Sequence, residues 1–558
     1  MARTISIGAQ GFADIREHND FYVDKTGFIS QWWNSSDPAT LICRPRRFGK
    51  TLNMSMLECF FSSAYANRHD LFEGLTVWND AELRAEQGRW PVVALSFAGA
   101  KGATLEDISL RIRERIAQAW RSHAETLDPS LLPENEADVL TGRTTYVSIE
   151  SAPSSLLRLC EHLYQATGKR AIILLDEYDT PMQEAWMGGF WGELTEFVRS
   201  LFNNTFKTNP FLERAVLTGV TRISRESIFS DPNNLAVVTT TTEQYEDCFG
   251  FTEQETFAAM DEMGLTEREQ VKEWYDGFSF GHITDIYNPW SITNYLKYGT
   301  AQPYWANTSS NALASKLVRE GDSQIKEDFE RLLQGGTISK VLDEQVAFGE
   351  LGSKPGAVWA LLLANGYLKV VSRQTIDQGG AYELALTNRE VTLSFDTMVK
   401  GWFEQSASYY NGFIQALLTG DLDAMNGYMN DVALDTFSLF DSGIRPAERE
   451  PERFYHGFVL GLLVELRGRY VITSNRESGY GRYDVMLEPL DSKRDDAIIV
   501  EFKVFNPRHE KSLDETVAAA KAQIAERRYA AGLEAHGIPQ DRIRTYGFAF
   551  KGKQVLIG

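Results

Sequence analysis

Cysteine is scarce: Cys43, Cys59, Cys160 and Cys248 are the only four in 558 residues, and no two are spaced C-x-x-C. A disulfide framework and a thiolate zinc site are thereby excluded as organising devices, and the usage fits a reducing compartment. No apolar stretch reaches the roughly 18 residues that a spanning helix needs, and no basic-then-apolar leader is readable. The expectation is a soluble, cytoplasmic protein with no membrane segment. Cations are outnumbered, with 56 Lys and Arg against 77 Asp and Glu, for a formal net charge of −21. That balance argues against a chain-wide nucleic-acid coat, because neutralising phosphates takes lysine and arginine. The excess is uneven, however: residues 431–558 are close to neutral, which leaves a basic face possible there. Repeats and low-complexity tracts are absent. A hydrophobic content of 43% with 12% aromatics excludes a disordered chain, and the length calls for two to four domains.

A glycine is also missing where a phosphate loop would normally open. Residues 41–51 read LICRPRRFGKT, an apolar strand entering a Gly-Lys-Thr turn, with Arg44 at the position of the first glycine in G-x-x-x-x-G-K-[ST]. In that pattern small residues let backbone N–H groups close around phosphate oxygens, the lysine meets the terminal phosphates, and the hydroxyl binds Mg²⁺. Gly49, Lys50 and Thr51 supply those parts. The helix expected from there, TLNMSMLECFFSSAY, turns its positive N-terminal end toward the phosphates. Arg44, Arg46 and Arg47 make the turn unusually cationic, and Arg44, Arg47, Gly49, Lys50, Thr51 and Leu52 are the candidate nucleotide contacts.

The complementary acid motif is Ala171 to Asp179, AIILLDEYD, an apolar run suited to a buried parallel strand and ended by carboxylates. Asp176 would hold Mg²⁺ through water and Glu177 would polarise the attacking water. A third strand-and-turn segment, RAVLTGVTRISRESIFS from Arg214, offers Thr218 or Thr221 to the γ-phosphate or the water, and Arg222 or Arg225 as an arginine finger. Ordinary loop arginines paired to local acids are an equal reading there. Apolar runs alternate with amphipathic stretches as far as about residue 240, which indicates an open α/β sheet at 1–240. The long gap from Lys50 to Asp176 leaves room for further elements, including WPVVALSF at 90–97. Residues 241–320 read as a helical lid. Residues 321–395, with VWALLLANG followed by two strands around Gln378-Gly379-Gly380, read as a winged-helix-like segment of either DNA-binding or packing kind. Residues 396–430 read as a helical linker.

The end domain, 431–558, carries sharper chemistry. GYGRYDVMLE at 479–488 and AIIVEFKVF at 497–505 are two strands of a hairpin, which sets Asp484 beside Glu501 and puts Lys503 on the same face as Glu501. Two carboxylates and a lysine suit phosphodiester hydrolysis: the acids hold Mg²⁺ or Mn²⁺, and the lysine positions or deprotonates the water. The alternative is surface acids on an edge strand. LDETVAAAKAQIAERRY at 513–529 is an amphipathic helix whose Gln523 and Tyr529 would face the site. RFYHGFVLGLLVEL before the hairpin completes an α-β-β-β-α-β order. Glu450, Glu452 and His456 read either as further ligands or as helix-surface residues.

FYVDKTGFI, RPRRFGKT, LLDEYDTPM, LTGVTRISRESIFS, FGFTEQE and YNPWSI resemble the bacterial AAA-ATPase-like proteins. FYHGFVLGLL, GRYDVML and EFKVF are similar to the PD-(D/E)XK nuclease domain that such proteins carry at the C-terminus, with Tyr483 in place of the motif's proline. The Arg44 opening is similar to that family's own form. The resemblance implies a P-loop NTPase sheet with lid, a restriction-endonuclease-like α/β end domain, ATP and Mg²⁺ as cofactors, and a role in conflict with mobile elements or phage. The expected function is an ATPase controlling a nuclease that acts on DNA in preference to RNA, with a homo-oligomer possible. The alternative is a signalling or scaffold ATPase whose end domain binds nucleic acid or protein without cleaving it.

Overall fold

In the computed structural model, residues 3–222, 235–305, 312–321, 323–342, 351, 355–376, 379–402, 407–440, 458–462, 464–478, 481–507, 509–551 and 554–558 are described. Two compact units divide them: residues 1–309 with 337–392, and residues 310–336 with 393–558. The chain therefore passes between units three times. Helices at 312–333, expected with the lid and wing, and those at 407–440, expected as a linker, belong to the C-terminal unit.

The first unit is built on a parallel sheet of order β2-β3-β4-β1-β5, made of β1 (Ala39–Cys43), β2 (Val92–Ser96), β3 (Ala171–Asp176), β4 (Leu212–Gly219) and β5 (Leu235–Val238). Strands β1 and β3 are buried along their whole length, as unbroken apolar runs require when both faces are covered. Helices fill the long gap between β2 and β3. One of them, Leu105–Arg121, starts where the Thr104 hydroxyl accepts the Asp107 N–H at 3.2 Å and buries Ile108, Ile112, Ile116 and Trp120 along one stripe. Strand β4 lies between β1 and β3, so its carboxyl end faces both the phosphate-loop strand and the acid strand.

The lid segment is not purely helical. Helices Glu253–Met263, Arg268–Tyr275 and Pro289–Tyr298 accompany a small antiparallel sheet of β6 (Phe251–Thr252), β7 (Phe278–Phe280) and β8 (Ile283–Tyr287), in the order β6-β8-β7. The strand signal is the alternation in Phe278-Ser279-Phe280, with both rings buried, followed by Gly281 at φ 57°, which turns the chain back. Phe278 and Phe280 pack edge-on against Phe48 of the phosphate loop, at 4.8 and 5.4 Å between ring centroids.

The winged-helix-like segment has β9 (Ile338–Leu342), helix Pro355–Ala364, β10 (Leu368–Ile376) and β11 (Gly379–Leu386), with sheet order β10-β11-β9. Ala357 to Leu363 are all buried. A helix apolar on every side is a core helix rather than one that enters a DNA groove. Ala360, Leu361 and Leu363 face Cys43, Val220 and Thr239 at the carboxyl ends of the parallel sheet across a cavity of about 30 Å³. Gly366, at φ 82°, lies so close to Pro45 of the phosphate loop that a Cβ there would be 3.0 Å from the proline Cβ.

The C-terminal unit is organised by a sheet of order β12-β13-β14-β15-β16, with β12 (Tyr470–Ser478), β13 (Gly481–Pro489), β14 (Ala497–Val504), β15 (Ile543–Lys551) and β16 (Gln554–Ile557). Only the β14–β15 pair is parallel, since helix Leu513–Glu526 provides the crossover between them. Phe458, Phe502, Phe548 and Phe550 form a ring cluster against the sheet, Phe502 stacked on Phe550 and met edge-on by Phe458. Edge strand β16 is covered by helix Leu422–Phe440, whose Asn426 and Asn430 carboxamides each accept from and donate to its backbone at 2.8–2.9 Å. The four cysteines are buried and unpaired. Among the described residues no helix is long and apolar enough to cross a membrane.

Candidate functional site

The first site is a cleft of about 470 Å³ at the carboxyl ends of the parallel strands. Gly49 adopts φ 77°, a left-handed conformation that glycine takes without strain, and this lets helix Lys50–Phe61 begin on the loop. Arg47, Gly49, Lys50, Thr51 and Leu52 line the cleft together with Glu177. Lys50 is buried, and its ammonium donates to the carbonyls of Arg44 and Pro45 at 2.9 and 2.8 Å. Burial pulls its pKa below the ordinary lysine value, opposed by Asp176 and Glu177. The Thr51 hydroxyl donates to Asp176 Oδ2 at 2.7 Å, and the Thr218 hydroxyl donates to Asp176 Oδ1. The structure thus brings the loop hydroxyl, the β3 acid and the β4 threonine to one point.

Arg44 stands apart from this group. Its side chain is fully buried and turned away from the cleft. One guanidinium nitrogen donates to Thr239 O at 2.5 Å and to Cys43 O at 3.2 Å, and the other reaches Tyr245 O at 3.3 Å. The Phe280 ring covers it at 4.4 Å. Sequence reasoning put this arginine against phosphate; the structure instead uses it to tie the end of β1 to the turn carbonyls of the chain after β5. Arg222 lines the small cavity under helix Pro355–Ala364 rather than the cleft, and Arg225 lies outside the described residues. Arg46 donates to Gln183 at 2.9 Å, and Arg47 stacks on Trp290 at 4.3 Å. Neither partner was singled out from sequence, nor was Asp179. Only the second carboxylate of the D-x-x-D spacing hinted at the last.

The second site lies where β13, β14 and helix Leu513–Glu526 meet. The antiparallel register, Val485 opposite Val500, carries Asp484 to the side of Glu501 as expected. Asp484 Oδ2 accepts the Phe502 N–H at 2.7 Å. Gln523 joins the other groups: its carbonyl accepts from Lys503 Nζ at 2.8 Å, and its amide donates to Glu501 Oε1 and, at 3.1 Å, to the Tyr529 hydroxyl. The helix gets this close because β15 has Gly547 opposite Glu501. A Cβ there would meet Val517 O at 2.8 Å and the Ala520 Cβ at 2.9 Å. Glu501 is 3% exposed, and among the described residues its Oε2 has no hydrogen-bond partner. Burial and then the neighbouring Asp484 push its pKa up to about 8, and burial raises that of Asp484. A buried carboxylate oxygen without a donor, beside a second acid, is the donor set of a hard divalent cation, whose charge would offset the repulsion. Glu450, Glu452 and His456 lie outside the described residues, as does the Tyr483 side chain.

Comparison with known proteins finds one family match over the stretch of chain that holds each site. Residues 6–229 match the AAA-ATPase-like family, described as "Predicted AAA-ATPase", and residues 450–558 match the PD-(D/E)XK nuclease superfamily. A protein of Azotobacter chroococcum mcd 1, described as "Uncharacterized protein in vnfD 5'region", is 28% identical over 397 residues, which is 71% of this chain and 69% of that one. The chain joins an AAA-ATPase-like domain at residues 6–229 to a PD-(D/E)XK nuclease superfamily domain at residues 450–558.

Proposed function

We propose that this protein is an ATPase whose nucleotide state controls a divalent-metal-dependent nuclease acting on DNA, in the setting of conflict with mobile elements or phage. The observation that carries the nuclease half is the buried Asp484–Glu501 pair, whose Glu501 Oε2 has no partner among the described residues, beside Lys503 and Gln523. Asp484 and Glu501 would hold Mg²⁺ or Mn²⁺, which when bound polarises a water and offsets charge developing on the phosphate. Lys503, held by Gln523, orients that water and takes up or returns its proton. Water oxygen then bonds to phosphorus as the bond to the leaving sugar oxygen breaks.

In the cleft, Lys50 would exchange the carbonyls of Arg44 and Pro45 for the terminal phosphates of ATP. Thr51 and Asp176 would hold Mg²⁺, and Glu177 would align the water that attacks the γ-phosphorus. The contact of Gly366 with Pro45, and of helix Pro355–Ala364 with the strand ends, supports the winged-helix-like segment as the part that senses loop movement. The chain runs from that segment into the C-terminal unit at both of its ends.

The test is incubation of the purified chain with linear, circular and single-stranded DNA and with RNA, with Mg²⁺ or Mn²⁺, with and without ATP. Lys50→Ala is expected to abolish ATP turnover. Asp484→Ala or Glu501→Ala is expected to abolish cleavage while ATP binding survives. Undiminished cleavage by the doubly substituted protein sinks the site assignment. Binding without cleavage under every condition would favour a scaffold ATPase instead.

A further inference from the structure

The turn after β3 and the turn after β4 are fastened together twice, by two acids three residues apart against two threonines three residues apart. The first fastening is Thr218 to Asp176. In the second, Asp179 Oδ2 alone accepts three bonds, from Val220 N at 2.9 Å, Thr221 N at 2.8 Å and the Thr221 hydroxyl at 2.8 Å. Tyr178 adds to the seam: its N–H donates to Thr218 O at 3.0 Å and its hydroxyl to Thr221 O at 2.7 Å. Gly219 makes the approach possible, since a Cβ there would stand 2.6 Å from Asp179 Oδ1 and from the Tyr178 ring. Asp179 and Thr221 are 6% and 4% exposed, yet Asp179 and Val220 both line the nucleotide cleft beside Glu177.

The two fastenings differ in what nucleotide would do to them. Asp176 and Thr218 are the groups that magnesium and the terminal phosphate would compete for, so the first fastening opens when the site fills. The second uses an oxygen already saturated by protein donors and stays closed. A charged acceptor with three short bonds is a strong and directional anchor. We propose that Asp179 is a positioning residue for ATP hydrolysis: by holding Thr221 it fixes the pivot about which the β4 turn presents Thr218 to the terminal phosphate and to the water aligned by Glu177. This rests on the ATPase reading given above. With Oδ2 committed to Val220 and Thr221, Asp179 acts through the β4 turn, so its loss is felt in the rate of the step rather than in the grip on ATP.

The experiment compares steady-state ATP hydrolysis with equilibrium binding of a fluorescent ATP analogue for Asp179→Asn, Thr221→Val, Thr221→Ser and the pair Asp179→Asn with Thr221→Val, all in the full chain. Misplacing a reacting group by about 1 Å is worth on the order of 100-fold in rate. Asp179→Asn and Thr221→Val are expected to lower kcat by about 10-fold or more, with KM and analogue affinity within about threefold of wild type. Thr221→Ser, which keeps the hydroxyl, is expected to retain the rate, and the pair to be no slower than its slower member. The proposal is overturned if Asp179→Asn keeps kcat within twofold of wild type, or if kcat, affinity and melting temperature fall together. Should Asp179→Asn fail to fold, the isosteric Thr221→Val carries the same decision. A wild-type chain that binds the analogue but turns over no ATP removes the ATPase reading itself, a different result from a wild type and an Asp179→Asn variant that are equally active.

Discussion

Replacing Gly547 by alanine tests whether the nuclease-type site depends on how closely its helix sits on the sheet. The added Cβ would lie 2.8 Å from Val517 O and 2.9 Å from the Ala520 Cβ. Unstrained C···O contacts begin near 3.3 Å, so helix Leu513–Glu526 must lift by roughly half an ångström. The opposing atoms belong to helix backbone and a Cβ, which cannot swing aside. Overpacking of this kind costs about 1–3 kcal/mol, offset by about 0.5–1 kcal/mol from removing a strand glycine. The net loss is ~1–2 kcal/mol, or about 2–4 °C in melting temperature for each kcal/mol. Gln523 rides on that helix, and half an ångström stretches its 2.8 Å bond from Lys503 past good hydrogen-bonding range. Cleavage of plasmid in Mg²⁺ should therefore fall by at least about 10-fold. Gly468→Ala serves as control, because its added Cβ meets nothing within 4 Å, and it should be neutral within about 0.5 kcal/mol. If Gly547→Ala melts and cleaves like Gly468→Ala, the close helix approach does not matter to the site.

Glu501 sets a pH dependence. Its carboxyl ionises near pH 8 in the fold against an ordinary 4.5, so metal-free stability is fullest below about pH 4.5 and drains away as pH rises toward 8. Glu501→Gln in chelator should thus exceed wild type by ~1–2 kcal/mol at pH 7.5 after allowance for solvent at the pair, with the gap closing near pH 4.5 and on adding Mg²⁺; parallel unfolding profiles would contradict this. His123 gives the opposite slope, since burial holds its pKa down at about 4. Stability is full above about pH 6.5 and declines below it, by roughly 2 kcal/mol at pH 5, and His123→Phe should flatten that limb of a thermal-unfolding series. Arg44→Ala removes one donor from each of the carbonyls of Thr239 and Tyr245, which keep their bonds from Thr242 and Cys248, and leaves a cavity against Phe280, so it should cost about 2–5 kcal/mol. A melting temperature unchanged in Arg44→Ala, with ATP binding lost, would instead return this arginine to the phosphates.

How far the sequence reached can be judged residue by residue. Short-range pattern sufficed for the GKT turn with its helix, for β3 ending at Asp176, and for the hairpin that sets Asp484 beside Glu501. Each is decided by apolar runs, a left-handed glycine or the two-residue period of a strand, and those constraints act between near neighbours in the chain. Arg44 shows where such reading stops. A cation beside a phosphate loop points to phosphate by composition alone, and its true direction depends on carbonyls of Thr239 and Tyr245, some two hundred residues away. The Asp179 anchor, Trp290 under Arg47 and the burial of helix Pro355–Ala364 have the same origin.

What the chain determined by itself was therefore the identity of its reactive groups and the strands and helices that hold them. Tertiary structure decided which of those groups meet across distant segments. Strand β4 had to insert between β1 and β3 before Thr218 and Thr51 could share Asp176, and Gly547 had to let a helix down before Gln523 could join Lys503 to Glu501. The physical reason is that charge and hydroxyl chemistry are short-ranged, so they report only on neighbours that distant segments supply.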